Sequence, residues 1–164
     1  MNIITPQQFE VLLPLAAAWA AEQERSILQS GVPLTEPQLA DAKQIGVQFP
    51  ERVRLLRVTQ IPVPKHPALA AAAAATGLIS PSTAGMTLRY GIFIRTDCWG
   101  QRLLVAHELV HVTQYERVGR FEAFLRPYLM ECLTPPGYPN GPMEREAINM
   151  SERLCSAGRG LTRL

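Results

Sequence analysis

The chain has 164 residues, enough for one domain with a proper core and too few for two comfortable ones. Its 16 basic and 14 acidic residues nearly cancel and form no basic stripe, which argues against a nucleic-acid partner. The three widely spaced cysteines, Cys98, Cys132 and Cys155, indicate neither a disulfide framework nor a cysteine zinc ribbon. We therefore expect a reducing, cytoplasmic compartment.

Two helix-start signals of the same kind open the chain. Thr5-Pro6-Gln7-Gln8 and Thr35-Glu36-Pro37-Gln38 each combine a capping threonine, an early proline and a capping-box glutamine. They predict one helix to about Ser30, kinked or restarted at Pro14, and a second helix to Gly46.

The apolar run 11–21 resembles the core of a signal peptide, but the preceding residue is Glu10 rather than a basic residue. With no apolar run near 20 residues, we also expect no membrane span. Partial alternation and branched residues over 53–58 favour a strand. Prolines between 62 and 67 then force an extended connection, in which we expect His66 to be solvated.

Residues 68–75, rich in alanine, favour a short filler helix. Residues 86–95 predict the strongest strand of the chain, at an edge or in the interior of the sheet. An edge strand carries free N–H and C=O groups that can pair with an extended peptide backbone. Thr96 or Asp97 can cap the long helix that follows, from about 101 to 118.

That helix carries His107-Glu108-Leu109-Val110-His111, the HExxH arrangement of zinc metallopeptidases. The histidines lie one helical turn apart and supply half of a tetrahedral zinc site, with Glu108 beside them as a candidate general base. The flanking residues are apolar, so these polar groups would be costly to bury without a metal or strong hydrogen bonds. A buried helix with satisfied histidines and no metal is the alternative.

The third ligand must be glutamate or cysteine if it follows His111, because no later histidine or aspartate exists. Glu116 is turned by about 140° from His111 on the same helix and points away. The other downstream candidates are Glu122, Glu131, Cys132, Glu144, Glu146, Glu152 and Cys155.

Asn140-Gly141-Pro142 predicts the start of a helix that carries Glu144 and Glu146 in its first turns. Residues two apart on a helix face about 200° from each other, so only one of these glutamates can approach the histidines.

Residues 107–111 followed by Glu144-Arg145-Glu146-Ala147 resemble the gluzincin branch of zincin-fold metallopeptidases in a small, single-domain form. In that branch a later helix supplies a glutamate ligand in a run such as Glu-x-x-x-Asp or Glu-x-Glu-Ala-Asp, which implies Glu144 here and leaves Glu146 as the alternative. The wider stretch from Val105 to Pro139 is similar to short bacterial proteins with this motif.

The sequence departs from the gluzincin pattern at Ile148, where the family often has an acidic residue. The acidic partner of an imidazole is then missing or replaced, and Asn149 or Glu131 could replace it.

The resemblance implies a zinc ion held by the two histidines and Glu144, with Glu108 removing a proton from an activated water that attacks a peptide carbonyl. Since no histidine follows His111, the donor to the carbonyl oxygen would be a tyrosine or an arginine, and Tyr138 is the first candidate. Tyr115 is equally a candidate for the core.

We therefore predict an α+β, zincin-like domain over 1–164, mostly helical with a small β-sheet and a central HExxH helix. Residues 1–67 would form N-terminal helices and a linker, and residues 68–164 the strand, the motif helix and the third-ligand helix. The predicted function is a zinc-dependent metallopeptidase with a peptide or protein substrate. The alternative is a non-catalytic zinc-binding regulatory or protein-interaction module, which would need no general base at Glu108.

Overall fold

Helices dominate the fold, which a computed structural model describes over residues 4–157. The ends of the predicted 1–164 domain therefore lie outside the described residues. The described part contains six α-helices and a small mixed sheet, which confirms the α+β class. In chain order the elements are α1 (Pro6–Ser30), β1 (Val32–Pro33), α2 (Glu36–Ile45), β2 (Arg54–Val58), α3 (Pro67–Thr76), β3 (Gly85–Leu88), β4 (Gly91–Arg95), α4 (Arg102–Val118), α5 (Phe121–Leu133) and α6 (Pro142–Ala157).

Both predicted capping boxes are present at the starts of α1 and α2. The side chains of Thr5 and Thr35 each accept a backbone N–H three residues later, and the glutamine at that position accepts in return. A restart at Pro14 is wrong, because α1 continues through this exposed proline, whereas a kink within the continuous helix stays a prediction. Leu13 and Ala20 are buried on either side of Pro14, and their packing holds the helix in one piece.

Helices pack on both faces of the sheet, whose strand order is β1-β2-β4-β3. Strand β4 pairs in parallel with β2 and antiparallel with β3. Its residues Ile92 and Ile94 belong to a core cluster shared with α2, α4 and α6, whereas Phe93 belongs to a cluster shared with α1 and α5. This layering fixes α4 and α6 on the same side of the sheet.

The single strand predicted over 86–95 is instead the hairpin of β3 and β4. Arg89 lies between them with a φ of 58°, in the left-handed region. Its guanidinium donates two hydrogen bonds to the buried carboxylate of Glu24 on α1, at 2.9 and 2.7 Å, and the Tyr90 N–H donates a third. The turn therefore depends on a partner 65 residues earlier in the chain, which no local pattern reveals.

Neither Thr96 nor Asp97 caps α4, so that part of the prediction is wrong. The two residues lie in a short 3-10 turn, and α4 begins after Gln101 without a side-chain cap. The Thr96 hydroxyl donates to the Val58 carbonyl and Asp97 pairs with Arg95, so both side chains are engaged elsewhere.

The predicted helices over 68–75 and from Pro142 are present as α3 and α6. His66 is exposed at the start of α3, as expected for a solvated residue. Among residues 4–157 no helix has both the length and the apolar character needed to cross a membrane.

Candidate metal centre

The two histidines and Glu144 meet where α4 packs against α6. His107 and His111 follow each other on one face of α4. Glu144 lies in the first turn of α6, close to Ala147, whose fully buried small side chain permits close approach of the helices. The Glu131 carboxylate accepts the Met143 N–H at 2.9 Å and so caps the start of α6.

The Nε2 atoms of the two histidines and the two carboxylate oxygens of Glu144 lie at distances like those between ligands of one ion. The Nε2 atoms of His107 and His111 are 3.2 Å apart, and Glu144 places its two oxygens 3.3 Å from His107 Nε2 and 3.2 Å from His111 Nε2. Ligands bonded tetrahedrally at about 2.0–2.1 Å lie about 3.3–3.4 Å from each other. The group can therefore hold a metal ion, with one ligand atom from each of the three residues.

Gln114 fixes the orientation of the His111 ring. Its amide nitrogen donates to the Met143 carbonyl at 3.0 Å and to the Glu146 carboxylate at 2.8 Å, which turns its oxygen towards His111 Nδ1 at 2.8 Å. Because an amide oxygen only accepts, Nδ1 must carry the proton. In the neutral ring the free lone pair then lies on Nε2, which faces His107 and Glu144.

Gln114 fills the position for which Asn149 and Glu131 were the expected replacements. Asn149 is exposed, and Glu131 caps α6 instead. Glu146 lies outside the donor group and accepts two hydrogen bonds from Arg117 and one from Gln114. Glu146 thus reaches His111 only through Gln114.

Tyr128 of α5 orients the Glu144 carboxylate by donating a hydrogen bond of 2.6 Å to Oε1. Burial alone would raise the pKa of Glu144, but its contacts with the His107 and His111 imidazoles and the hydrogen bond from Tyr128 lower the pKa well below its usual value. Burial and the Glu144 charge raise the pKa of Tyr128, so its hydroxyl remains a donor. Glu144 is therefore held as an anion, the form that binds a cation.

The pKa of His111 is subject to opposing effects. Burial favours the neutral ring, but the hydrogen bond with Glu144 and the nearby Glu108 charge raise the pKa above its ordinary value. A metal ion that binds His111 therefore competes with a proton.

Glu108 lies beside this group, and its carboxylate is fixed by β3. The Thr87 hydroxyl is within 2.7 Å of Glu108 Oε2 and 3.0 Å of the Glu108 carbonyl, both acceptors. A Cβ atom at Gly85 would lie 2.6 Å from Glu108 Oε1, so the backbone of β3 passes directly against the carboxylate. Although Glu108 is only 5% exposed, it lines the same cavity as the three donors.

That cavity has a volume of about 150 Å³, and Tyr138 forms part of its wall. Burial, followed by the charges of Glu144 and Glu108, raises the pKa of Tyr138, so its phenol keeps its proton. Tyr115 is fully buried and stacks on Phe124 with ring centres 3.6 Å apart, which places it in the core.

The remaining downstream candidates for the third ligand do not join the donor group. Glu116 accepts the N–H groups of Gln48 and Phe49, far from the histidines on the α4 surface. Burial raises the pKa of Cys132 to about 12, which disfavours the thiolate that a metal would require. In the part of the chain that the structure describes, the group of candidate ligands consists of His107, His111 and Glu144.

Sequence reasoning missed Thr87, Gln114 and Tyr128. Gln114 could have been found, because a residue three positions after His111 lies on the same helical face. Thr87 and Tyr128 come from other elements and carry no local signal. Comparisons with protein-family models, curated proteins and solved structures find no match for this chain.

Proposed function

We propose that this chain is a zincin-like, zinc-dependent metallopeptidase that hydrolyses peptide bonds through a metal-activated water. The observation that carries the proposal is the grouping of His107, His111 and Glu144, whose Nε2 atoms and nearest carboxylate oxygens lie 3.2 to 3.3 Å apart, beside a buried carboxylate that is not part of the group. A structural zinc site would close its fourth corner with a protein ligand and would need no such carboxylate.

Zinc is the proposed ion because two imidazoles and one carboxylate with an open fourth position are a donor set of catalytic zinc sites. Purely oxygen-binding cations such as magnesium and calcium prefer carboxylates, carbonyls and water over imidazole. When bound, zinc supplies Lewis acidity, which lowers the pKa of a coordinated water and polarises a carbonyl group.

Two side chains beside the site can transfer the proton and stabilise the carbonyl oxygen in this reaction. The Glu108 carboxylate, oriented by Thr87, accepts the proton of the attacking water and returns it to the leaving amine. The Tyr138 phenol is available to donate a hydrogen bond to the carbonyl oxygen of the scissile bond.

Strand β3 offers a place for the peptide backbone. It is the last strand in the order β1-β2-β4-β3 and lines the cavity through Gly85, Met86 and Leu88. An extended peptide that pairs with such an edge gains main-chain hydrogen bonds while its carbonyl groups stay near the site.

The test begins with the metal content of purified protein by elemental analysis, followed by cleavage of a peptide library. We expect close to one zinc per chain and cleavage that a chelator abolishes and added zinc restores. Zinc without cleavage of any library peptide would favour the alternative of a non-catalytic binding module. Protein that takes up no zinc would overturn both.

The first prediction concerns Gln114, which holds His111 and connects it to α6. We expect Gln114→Ala to weaken zinc binding by about 10- to 100-fold, because partners of metal-binding histidines typically contribute that much. Chelator competition measures the change. Gln29→Ala, at an exposed position of α1, is the matched control and should leave the affinity unchanged. Unchanged affinity in Gln114→Ala would show that His111 needs no such support.

A further inference from the structure

The cavity beside the candidate metal centre is polar at one end and apolar elsewhere. The donor residues, Glu108 and Thr87 form its polar end. The apolar wall comes mainly from α1, α3 and α5, and includes Leu13, Ala16, Trp19, Leu69, Ala73 and Leu129. Helices α1 and α3 lie outside the part of the sequence that suggested a metal site. The fold nevertheless brings them to that site as the apolar wall of its cavity.

Small side chains on α1 and α3 leave this space open. Ala16 and Ala73 both line the cavity and pack against the core cluster that contains Phe93. Larger side chains at these two positions would fill the cavity. The alanine-rich α3, which we expected to be a filler helix, also forms one wall of the cavity.

Resting on the function proposed above, we propose that this cavity receives one aromatic or branched aliphatic side chain of the peptide substrate, next to the scissile bond. The whole cavity, with its polar end included, has a volume of about 150 Å³, close to that of an engineered apolar cavity that binds benzene. A charged side chain would lose its hydration against an apolar wall without gaining a partner. Helices α1 and α3 thereby set the side-chain specificity of the site.

The position of β3 favours a peptide side chain as the occupant. Met86 and Leu88 of this edge strand line the cavity, so a peptide paired with β3 would run beside the cavity. Side chains of an extended peptide alternate between the two faces of a sheet, so every second one can enter the space.

Binding can be measured without metal or turnover through the fluorescence of Trp19, which lines the cavity. Trp99 packs under Arg57, with the guanidinium carbon 4.5 Å from its ring centre, and the Trp99→Phe variant leaves Trp19 as the reporter. Chelator-treated protein would be titrated with the N-acetyl amides of phenylalanine, leucine, alanine and lysine. We expect the phenylalanine and leucine amides to bind at least about tenfold more tightly than the other two.

Ala73→Leu in the same background should weaken binding of the phenylalanine amide by at least about tenfold, because the added side chain fills the cavity. Ala75→Leu places the same substitution at an exposed position of α3 and should change nothing. If circular dichroism shows that Ala73→Leu does not fold, Ala16→Leu fills the cavity from α1 instead.

Equal binding of the phenylalanine and lysine amides would overturn the inference, as would undiminished binding in the folded cavity-filling variant. The outcomes also separate the two proposals. Selective binding without cleavage of any peptide would retain the pocket and remove the proposed peptidase. Chelator-sensitive cleavage without side-chain preference would retain the peptidase and remove the pocket.

Discussion

Replacing Glu144 by alanine should weaken zinc binding by more than about 100-fold. Loss of an outer partner of a ligand typically costs 10- to 100-fold, and removal of a ligand must cost more. The remaining pair, His107 and His111, supplies only two of the four corners of a zinc site. Chelator competition on the purified variant measures the change, and His107→Ala and His111→Ala should behave in the same way.

Helix α6 provides two controls with the same substitution. Glu152 is exposed, so Glu152→Ala should leave zinc affinity unchanged. Glu146 reaches His111 only through Gln114, so Glu146→Ala should have a smaller effect than Glu144→Ala. If Glu146→Ala releases the metal and Glu144→Ala retains it, the third ligand has been assigned two residues too early. If both retain it, the third ligand lies elsewhere.

Zinc should also raise the melting temperature of the wild-type protein, because the donor group joins α4 to α6 and a ligand of the folded state stabilises it. In Glu144→Ala this increase should largely disappear at the same zinc concentration. The comparison with and without zinc separates loss of the ligand from any general loss of stability in the variant.

The features predicted correctly from the sequence are those determined within a few residues. Thr5 and Thr35 begin helices because the threonine and a glutamine three residues later satisfy each other's backbone groups. The spacing of His107 and His111 places both imidazoles on one helical face whatever the rest of the chain does. The Gly-Pro pair predicted the start of the helix that carries Glu144 and Glu146, and the resemblance to gluzincins favoured Glu144 of the two.

The features that escaped prediction depend on contacts between distant segments. The turn at Arg89 is stabilised by Glu24 of α1, and the run of strand-forming residues around it gives no hint of that partner. Thr87 reaches Glu108 because β3 lies along α4, a packing that no motif encodes. The same is true of the apolar cavity, whose walls come from helices separated along the chain.

Ile148 shows how a departure from a family pattern can mislead. The missing acidic residue suggested an unsupported imidazole, with Asn149 or Glu131 as replacements. The support comes instead from Gln114, on the same helix as His111 and one turn later. A neutral amide fulfils the task because it fixes the Nδ1 proton and is itself anchored at Met143 and Glu146.

Glu108→Gln should retain zinc and lose at least about 100-fold in turnover of a peptide found in the library, because general-base catalysis typically contributes 10²- to 10⁴-fold. Glutamine has nearly the same shape, and its amide oxygen can still accept the Thr87 hydrogen bond, so the fold should be preserved. What it lacks is the ability to take a proton from water. Elemental analysis and the cleavage rate of the same preparation test the two halves of the prediction.

Thr87→Val should lower turnover less than Glu108→Gln does. It keeps the shape of the side chain but removes the hydroxyl that orients the Glu108 carboxylate, so we expect turnover to fall by about tenfold, less than in Glu108→Gln. Thr59→Val, at an exposed position, is the control for Thr87→Val, and Glu152→Gln is the control for Glu108→Gln.

Turnover within a few-fold of wild type in zinc-loaded Glu108→Gln would remove Glu108 as the general base. Loss of zinc in that variant would instead make Glu108 a ligand and require a different geometry from the His107, His111 and Glu144 group.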